Sequence, residues 1–285
     1  PKRAGKRKGG HEYVQFVSAG AMRKILNSKP FGLRFIRHEI NKIMLEWGSD
    51  TFQSVAAADL IQDTVFHTVE SVEAAVTELI RLEGRIDLLV NNAGFGVAPA
   101  GAEESSIEQA KSILDTNFFG IVRMTRAVVP HMRRQGSGRI INISSIIGVV
   151  PMPYVALYAA SKHAVEGYSE ALDHELRTRG IRVSLIEPAF TKTKFEANNV
   201  QPDSMLPEYD KIRAKLTKVV EEAMEGGDTP EVVAEVVLKA AQATKPQLRY
   251  TAGKAASQLK FLRRFAPASV LDKGIRKSLR IDEKG

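Results

Sequence analysis

Hydrophobic residues recur with helical spacing along the chain from about residue 70 onward, and short apolar runs separate the helical segments. Apolar positions between Val72 and Glu83 follow the three-to-four-residue period of an amphipathic helix, and Gly84 is placed to end it. The next apolar run, Ile86–Val90, leads into turn residues and predicts a short buried strand. The pattern then repeats, with helices predicted at Ser106–Gln135, Tyr158–Arg179 and Pro230–Thr244 and strands at Arg139–Ser144, Ile181–Ile186 and Leu248–Thr251.

Strands that alternate with helices predict a parallel sheet, because parallel neighbours must be joined by a long crossover, usually a helix. Apolar strands of this kind are buried on both faces, so we expect a doubly wound α/β fold with helices on both faces, in a single domain. The first 70 residues are less regular. They allow a β-α-β-α-β order over Tyr13–Ser18, Met22–Asn27, Leu33–Arg37, Glu39–Trp47 and Thr51–Ala57, and Asn198–Glu208 is predicted to be a loop.

The net charge of +8 is concentrated at the two ends of the chain. Residues 1–10 carry five basic residues and no acid, and residues 254–285 carry nine basic against three acidic residues, which leaves −3 between these segments. This distribution predicts solvated basic tails and no nucleic-acid partner. In Lys254–Arg280 apolar and basic residues are mixed, which leaves weak contact with a membrane surface as an alternative to a helix at the mouth of the site.

The absence of cysteine excludes disulfides, thiolate catalysis and thiol-ligated metal clusters, and we expect no metal site. No apolar stretch reaches the length of a membrane span, and the basic N-terminal residues are not followed by the apolar run of a secretory signal peptide. A cytoplasmic protein is therefore expected.

Tyr158 and Lys162 are four residues apart in a predicted helix, so their side chains leave the same face one turn apart. A free tyrosine has a pKa of about 10, too high for proton exchange at neutral pH, and a nearby cation lowers it by favouring the phenolate. Lys162 can supply that cation. The same spacing also occurs where an aromatic ring simply packs under a lysine stem, so the surrounding sequence must decide.

The surrounding sequence places polar residues where predicted strands end. Ser144 and Ser145 stand at the carboxyl end of a buried strand, the edge at which α/β sheets build their sites, and Gly148 follows. Together with the Tyr158/Lys162 pair, Asn117 and the run Asn-Asn-Ala-Gly at residues 91–94, this pattern resembles the short-chain dehydrogenase/reductase family over about residues 70–250.

The resemblance implies a role for each of these residues. The family's catalytic serine precedes its tyrosine by thirteen positions, which selects Ser145 over Ser144. It further implies that Tyr158 exchanges a proton with the substrate, that Lys162 also holds the nicotinamide ribose, and that Asn117 anchors a water relay to the lysine. The implied catalytic set is therefore Asn117, Ser145, Tyr158 and Lys162. The implied cofactor is NAD or NADP, held by Asn91, Ala93, Gly94, Tyr158, Lys162, Pro188 and Thr193, with Ala189 standing where the family has glycine.

The resemblance also implies a domain organisation and a substrate class. We expect a basic tail at 1–10, a Rossmann-type catalytic domain at 11–252 and a basic helical extension at 253–285. Residues 166–176 and 187–189 look like the steroid- and retinol-dehydrogenase branch, which favours a bulky, apolar secondary alcohol or ketone. Family members commonly assemble into dimers or tetramers, so a homo-oligomer is expected.

The sequence departs from the family at the cofactor's glycine fingerprint. The expected distance places that fingerprint at Val17–Arg23, which offers one glycine and two alanines where several glycines are needed for close phosphate approach. The acidic residue expected near Val65 also lacks a clean match, so NAD and NADP stay open. Three explanations compete: a divergent phosphate loop, a dead or altered cofactor site, or a reading-frame error in the source of residues 1–69. The rival function is a non-catalytic Rossmann-fold binding protein with a degenerate cofactor site.

Overall fold

The computed structural model describes residues 35–37, 68–193, 195 and 199–281 of the chain. The predicted elements between residues 13 and 27 and between 39 and 57, and the expected fingerprint segment Val17–Arg23, lie outside these residues. Within Leu33–Arg37 a strand is present at Phe35–Arg37.

A parallel sheet of five strands organises the described residues, and its spatial order follows the chain. The strands are β1 (Phe35–Arg37), β2 (Leu88–Asn91), β3 (Gly138–Ile143), β4 (Ile181–Pro188) and β5 (Arg249–Ala252). The register pairs Asn91 with Asn142 and Ile143 with Ile186, so the carboxyl ends of β2, β3 and β4 meet at one edge. This arrangement confirms the predicted parallel α/β fold.

Eight α-helices accompany these strands in the described ranges. They are α1 (Val69–Glu83), α2 (Ile107–Leu114), α3 (Gly120–Gln135), α4 (Ala156–Leu176), α5 (Asp210–Glu225), α6 (Pro230–Gln242), α7 (Lys254–Phe265) and α8 (Ala268–Ser278). The single helix predicted from Ser106 to about Gln135 is interrupted, because a π-helical turn at Asp115–Phe119 separates α2 from α3. The structure corrects the prediction at this point.

The core lies on both faces of the sheet, as the apolar strands predict. On one face α1, α3 and α4 contribute Val72, Val76, Met124, Val128 and Leu172, which pack on Leu89, Ile140 and Val183. On the other face Val233 and Val237 of α6 pack on Leu88, Val90, Ile141 and Ile186. Neighbouring residues of one strand thus enter opposite cores, because side chains alternate across a strand.

The C-terminal helices α7 and α8 pack against the segment that follows β3. Ala256 and Leu271 form a small apolar cluster with Ile146 and Val150. None of the described helices combines the length and the apolar character needed to cross a bilayer.

Candidate active site

Ser145 lies just beyond β3, where the chain leaves the sheet edge. Its backbone is extended, and its side chain begins a short 3₁₀ turn at Ile146–Gly148 by accepting a hydrogen bond from the Ile147 N–H at 3.2 Å. The Ser145 hydroxyl also lies 3.5 Å from the carbonyl oxygen of Pro188, at the long end of hydrogen-bonding distance. The hydroxyl is therefore held between the ends of β3 and β4.

Tyr158 and Lys162 occupy the first turns of α4, and both side chains are buried. The Lys162 ammonium nitrogen is 5.6 Å from the centroid of the Tyr158 ring and donates a hydrogen bond to the Ile143 carbonyl at 2.9 Å. Ile143 is the last residue of β3, so this bond fixes the lysine to the sheet edge. The ring of Phe195 also contacts Tyr158, with 5.5 Å between the two centroids.

The burial of Lys162 changes its acidity. Loss of solvation lowers the pKa of Lys162 to about 8, and the negative charge of Glu166, one helical turn further along α4, opposes this shift. The ammonium form therefore still predominates at neutral pH. A cation next to a phenol is the combination that the spacing of Tyr158 and Lys162 predicts.

Asn117 is fully buried in the π-helical turn between α2 and α3. Its amide oxygen accepts a hydrogen bond from the Phe95 N–H at 3.0 Å, and its amide nitrogen donates to the Phe95 carbonyl at 2.8 Å and to the Ser161 hydroxyl at 3.0 Å. Ser161 in turn donates to the Tyr158 carbonyl at 2.8 Å. Asn117 thus connects the chain after β2 with the helix that carries Tyr158 and Lys162.

The run at residues 91–94 lies at the same edge. The Asn91 amide donates to the Asn142 side chain at 2.8 Å, and Asn142 donates to the Ser169 hydroxyl at 2.8 Å, so β2, β3 and α4 are braced together. Ala93 is partly exposed beside them. A Cβ atom on Gly94 would lie 3.2 Å from the Asn117 amide oxygen and 3.5 Å from the Lys162 ammonium. The glycine lets the backbone approach the lysine closely.

The segment after β4 is engaged in local turns. Pro188 ends the strand, and the Thr191 hydroxyl donates to the Ala189 carbonyl at 3.2 Å. The Thr193 hydroxyl accepts a hydrogen bond from the Phe195 N–H at 3.2 Å. Hydrogen bonds and close contacts therefore connect the helix of Tyr158 and Lys162 with Asn117 and Gly94. Ser145 lies two residues beyond Ile143, to which Lys162 donates. The hydrogen bond of Thr193 belongs to its own loop.

A shallow depression with a mainly apolar lining, open to solvent, lies beside Tyr158. It is formed by the segment after β2 and the start of α4, and it is lined by Val97, Ala98, Ala100, Gly101, Ala102, Ser105, Tyr154, Val155, Ala156, Leu157 and Tyr158. Val97 pairs with Val200, and the Gly96 N–H donates to the Asn199 side chain at 3.1 Å, so residues 199–200 lie against the segment that follows β2. The lining of the depression offers apolar contacts next to the Tyr158 side chain.

A buried charge network adjoins the site, and the motif spacing does not reveal it. Glu187, fully buried at the end of β4, pairs with Lys260 of α7 at 2.7 Å and lies 3.5 Å from Arg249. Arg249 pairs with Glu166 at 2.8 Å. Burial raises the pKa of Glu187, which Lys260 partly counteracts. The available signal is the acidic residue at position 187, near the end of a largely buried strand, since buried charges need partners.

Lys162 and Gly94 are the residues of this site that bear on the nicotinamide half of the expected cofactor. Lys162 has three N–H donors, one of which is directed to Ile143, and its ammonium lies beside the backbone of Gly94. Donors of this kind suit ribose hydroxyls, and Gly94, which is buried, lets its backbone lie close to the lysine. Lys162 is thus compatible with the role expected of it at the nicotinamide half. Thr193 is engaged within its own loop, and the residues expected at the phosphates lie outside the described ranges.

Comparisons with known proteins found relatives in sequence and in structure. The sequence model of the family described as short chain dehydrogenase matches residues 38–204. An uncharacterised oxidoreductase of Schizosaccharomyces pombe is 37% identical over 194 residues, which are 68% of this chain and 81% of that protein. The 3-ketodihydrosphingosine reductase of Bacteroides thetaiotaomicron is 40% identical over 186 residues, which are 64% of this chain and 68% of that protein.

A solved structure with the same fold is that of a short chain dehydrogenase/reductase from Burkholderia phymatum in complex with NAD. It is 26% identical, with a TM-score of 0.60, and the superposition covers 70% of this chain and 73% of that one.

Proposed function

The chain belongs to the short-chain dehydrogenase family, and from this premise we propose that Tyr158 is the proton-transfer group of a reaction that moves a hydride between a nicotinamide cofactor and a secondary alcohol or ketone. The protein is an NAD(P)-dependent oxidoreductase by its family and by the NAD-bound relative of known structure. The observation that carries the proposal is the buried Lys162 ammonium 5.6 Å from the Tyr158 ring, beside an apolar depression.

Each polar group of the site has a distinct task in this reaction. Tyr158 donates its proton to the carbonyl oxygen of a ketone and, in the reverse direction, its phenolate accepts the proton of the alcohol. The Ser145 hydroxyl donates a hydrogen bond to the same oxygen as it gains negative charge. Lys162 favours the phenolate form of Tyr158 by its charge. Asn117 holds Phe95 and Ser161, so it positions the segment and the helix that border the site.

The cofactor would be held by residues at the carboxyl edge of the sheet. Asn91, Ala93 and Gly94 would border it, Tyr158 and Lys162 would bind the ribose, and Pro188 and Thr193 would contact the carboxamide side. For Thr193 this requires its hydroxyl to leave the Phe195 N–H. When bound, the nicotinamide supplies or accepts the hydride at the carbon that carries the reacting oxygen.

We propose a bulky, apolar substrate. The depression beside Tyr158 is lined mainly by Val97, Leu157 and several alanines, which offer apolar contacts and little that would bind a charged group. The Bacteroides relative is named as a 3-ketodihydrosphingosine reductase, which supports a ketone as the substrate. Cytoplasmic location and assembly of several copies belong to the same proposal, and light scattering of the purified protein measures the second.

Replacement of the phenolic oxygen tests the proposal. Tyr158→Phe should reduce turnover of apolar ketones with NADH or NADPH by about 10²–10⁴-fold, because positioned acid–base groups contribute factors of this size. Tyr168→Phe is the matched control, since Tyr168 lies on the same helix, packs edge-on against Phe118 and should be dispensable for proton transfer. Full activity of the Tyr158 variant would contradict the proposed role.

Fluorescence titration of wild type and Tyr158→Phe with NADH and NADPH separates this reaction from the rival function. Both proteins should bind one of the two cofactors saturably, and the preferred cofactor would decide between NAD and NADP. A protein that binds neither NADH nor NADPH would support the non-catalytic alternative. That alternative is suggested by the presence of a single glycine in Val17–Arg23. The family match does not favour that alternative.

A further inference from the structure

An exposed apolar surface lies where α7 ends and α8 begins. Phe261 is 62% exposed, Leu262 43%, Phe265 64% and Val270 55%, and we name these four residues the C-terminal corner. The rings of Phe261 and Phe265 are in contact, with 4.8 Å between their centroids. Single exposed apolar residues are common on protein surfaces, whereas adjoining aromatic and aliphatic side chains mark contact surfaces.

Basic residues surround the C-terminal corner. Arg263 and Arg264 are exposed between Leu262 and Phe265 in the sequence, and Lys273 and Lys277 are exposed on α8. The guanidinium of Arg264 lies 5.5 Å from the centroid of the Phe265 ring. Asp272 is the single acidic residue of the sequence between positions 254 and 281. The surface is therefore both apolar and strongly cationic.

The opposite side of the same two helices is fixed to the protein. Ala256 and Leu271 are buried against Ile146 and Val150, in the segment that follows Ser145. Lys260, one residue before Phe261, pairs with the buried Glu187. The exposed side chains of the corner are thus not needed to attach these helices and face outward from an anchored element.

We propose that the C-terminal corner docks on the surface of an anionic phospholipid membrane. Aromatic and aliphatic side chains enter the boundary between headgroups and acyl chains, while lysine and arginine attract anionic lipids, and this protein presents both together. A second copy fits less well. In a symmetric dimer the corner would face itself and bring Arg263 and Arg264 against the same cations of the other chain.

Flotation with vesicles tests this proposal on the purified protein. Wild type should float with vesicles of phosphatidylcholine containing about one third phosphatidylserine, and should bind pure phosphatidylcholine weakly and lose binding at high salt. Phe261→Ser combined with Phe265→Ser should weaken partitioning at least about tenfold, since it removes the inserted apolar surface. Arg263→Glu combined with Arg264→Glu should abolish the preference for anionic lipid.

Matched controls keep the outcome decisive. Val69→Ser combined with Ile107→Ser changes two exposed apolar residues elsewhere and should float as wild type does. Tyr158→Phe should also bind vesicles normally, so failure of the catalytic proposal would leave this result unaffected. Failure of wild type to float with anionic vesicles overturns the proposal. It is equally overturned if the phenylalanine variant floats unchanged, or if that variant converts a dimer to a monomer while neither protein binds vesicles.

Discussion

Lys162 is a charged residue inside the protein, and the loss of its hydration on burial lowers the stability of the fold. Burial removes the water that stabilises the ammonium, which lowers the pKa of Lys162 to about 8. The hydrogen bond to the Ile143 carbonyl and the charge of Glu166 compensate in part. The protein retains the cation where the proposed reaction needs it, which is the usual conflict between stability and function at an active site.

Removal of this charge should therefore stabilise the fold while it abolishes catalysis. We expect Lys162→Met to raise the free energy of unfolding at pH 7 by about 1–2 kcal/mol, because it removes the desolvation cost and loses one hydrogen bond. Urea denaturation measures this change. Lys239→Met, at an exposed position on α6, is the control and should stay within about 0.5 kcal/mol of wild type.

The pH dependence of the free energy of unfolding tests the same effect of Lys162 burial. In the folded state Lys162 loses its proton near pH 8, whereas the unfolded chain retains it up to the ordinary value of 10.5. Between these values the unfolded state binds more protons, so wild-type stability should contain a contribution that rises with pH and is constant below about pH 8. Lys162→Met should lack this rise. A variant less stable than wild type at pH 7 would refute the account.

At the residue scale, spacing along the chain predicts what is local. Tyr158 and Lys162 share a helix, so their separation of four residues is sufficient to bring them together. Glu166 has the same spacing from Lys162, yet its environment depends on Arg249, which is 83 residues away. Partners at that distance along the chain leave no periodic signal.

The junction between α2 and α3 shows the same limit at the scale of an element. Hydrophobic spacing predicts one helix across residues 106–135, but the π-helical turn at Asp115–Phe119 interrupts the regular helix and holds Asn117 against Phe95. Such turns often occur at functional sites, because they redirect a side chain without ending the helix. Apolar periodicity reports the buried face of a helix and is too coarse to detect a single turn of this kind.

The contact between α4 and the turn after Ser145 offers an element-scale prediction. A Cβ atom at Gly148 would lie 2.9 Å from the Ser144 hydroxyl and 3.1 Å from the Lys162 carbonyl. Gly148→Ala should therefore push the Ser145 turn away from α4, lower kcat/KM by about 10–100-fold and destabilise the fold by about 1–3 kcal/mol. Steady-state kinetics and thermal unfolding measure the two effects.

Gly167, which lies within α4, provides the control for this change. An added Cβ at Gly167, which is exposed, has no neighbour within 4 Å. Gly167→Ala should leave kcat/KM unchanged and stabilise the helix by up to about 1 kcal/mol, because alanine has the higher helix propensity. If both variants had equal kinetics, close packing of the Ser145 turn on α4 would not matter for the reaction.

At the scale of the whole molecule, apolar patterns predict the elements that build the main core. The segments of β2, β3, β4 and α6 are recognisable because their buried faces are apolar and regular. The pattern does not predict α5, whose buried residue is Leu216 and whose Arg213 pairs with the buried Glu104. Helices attached by ion pairs carry little hydrophobic signal.

The ion pair between Lys260 and Glu187 joins the C-terminal helices to the end of β4, 73 residues earlier in the chain. Lys260→Met should destabilise the fold by roughly 1–3 kcal/mol, because the buried Glu187 would lose its cation at 2.7 Å. It would keep Arg249 at the longer distance of 3.5 Å. Burial raises the pKa of Glu187, and Lys260 lowers it, so the variant's carboxyl should hold its proton to higher pH. Urea denaturation between about pH 5 and 8 measures the deficit.

The direction of that pH dependence follows from the difference between the pKa of the Glu187 carboxyl in the folded protein and in the unfolded chain. A carboxyl whose pKa is raised by folding binds more protons in the folded state, so stability falls as pH rises above its ordinary value of 4.5. The deficit of Lys260→Met should accordingly be smallest at acidic pH. Adding Glu187→Gln should restore stability and remove the pH dependence, since the buried charge is then absent. If the double variant were no more stable than Lys260→Met, the lysine would stabilise the C-terminal helices by its packing alone, and the pairing of charges would contribute nothing to the attachment of α7.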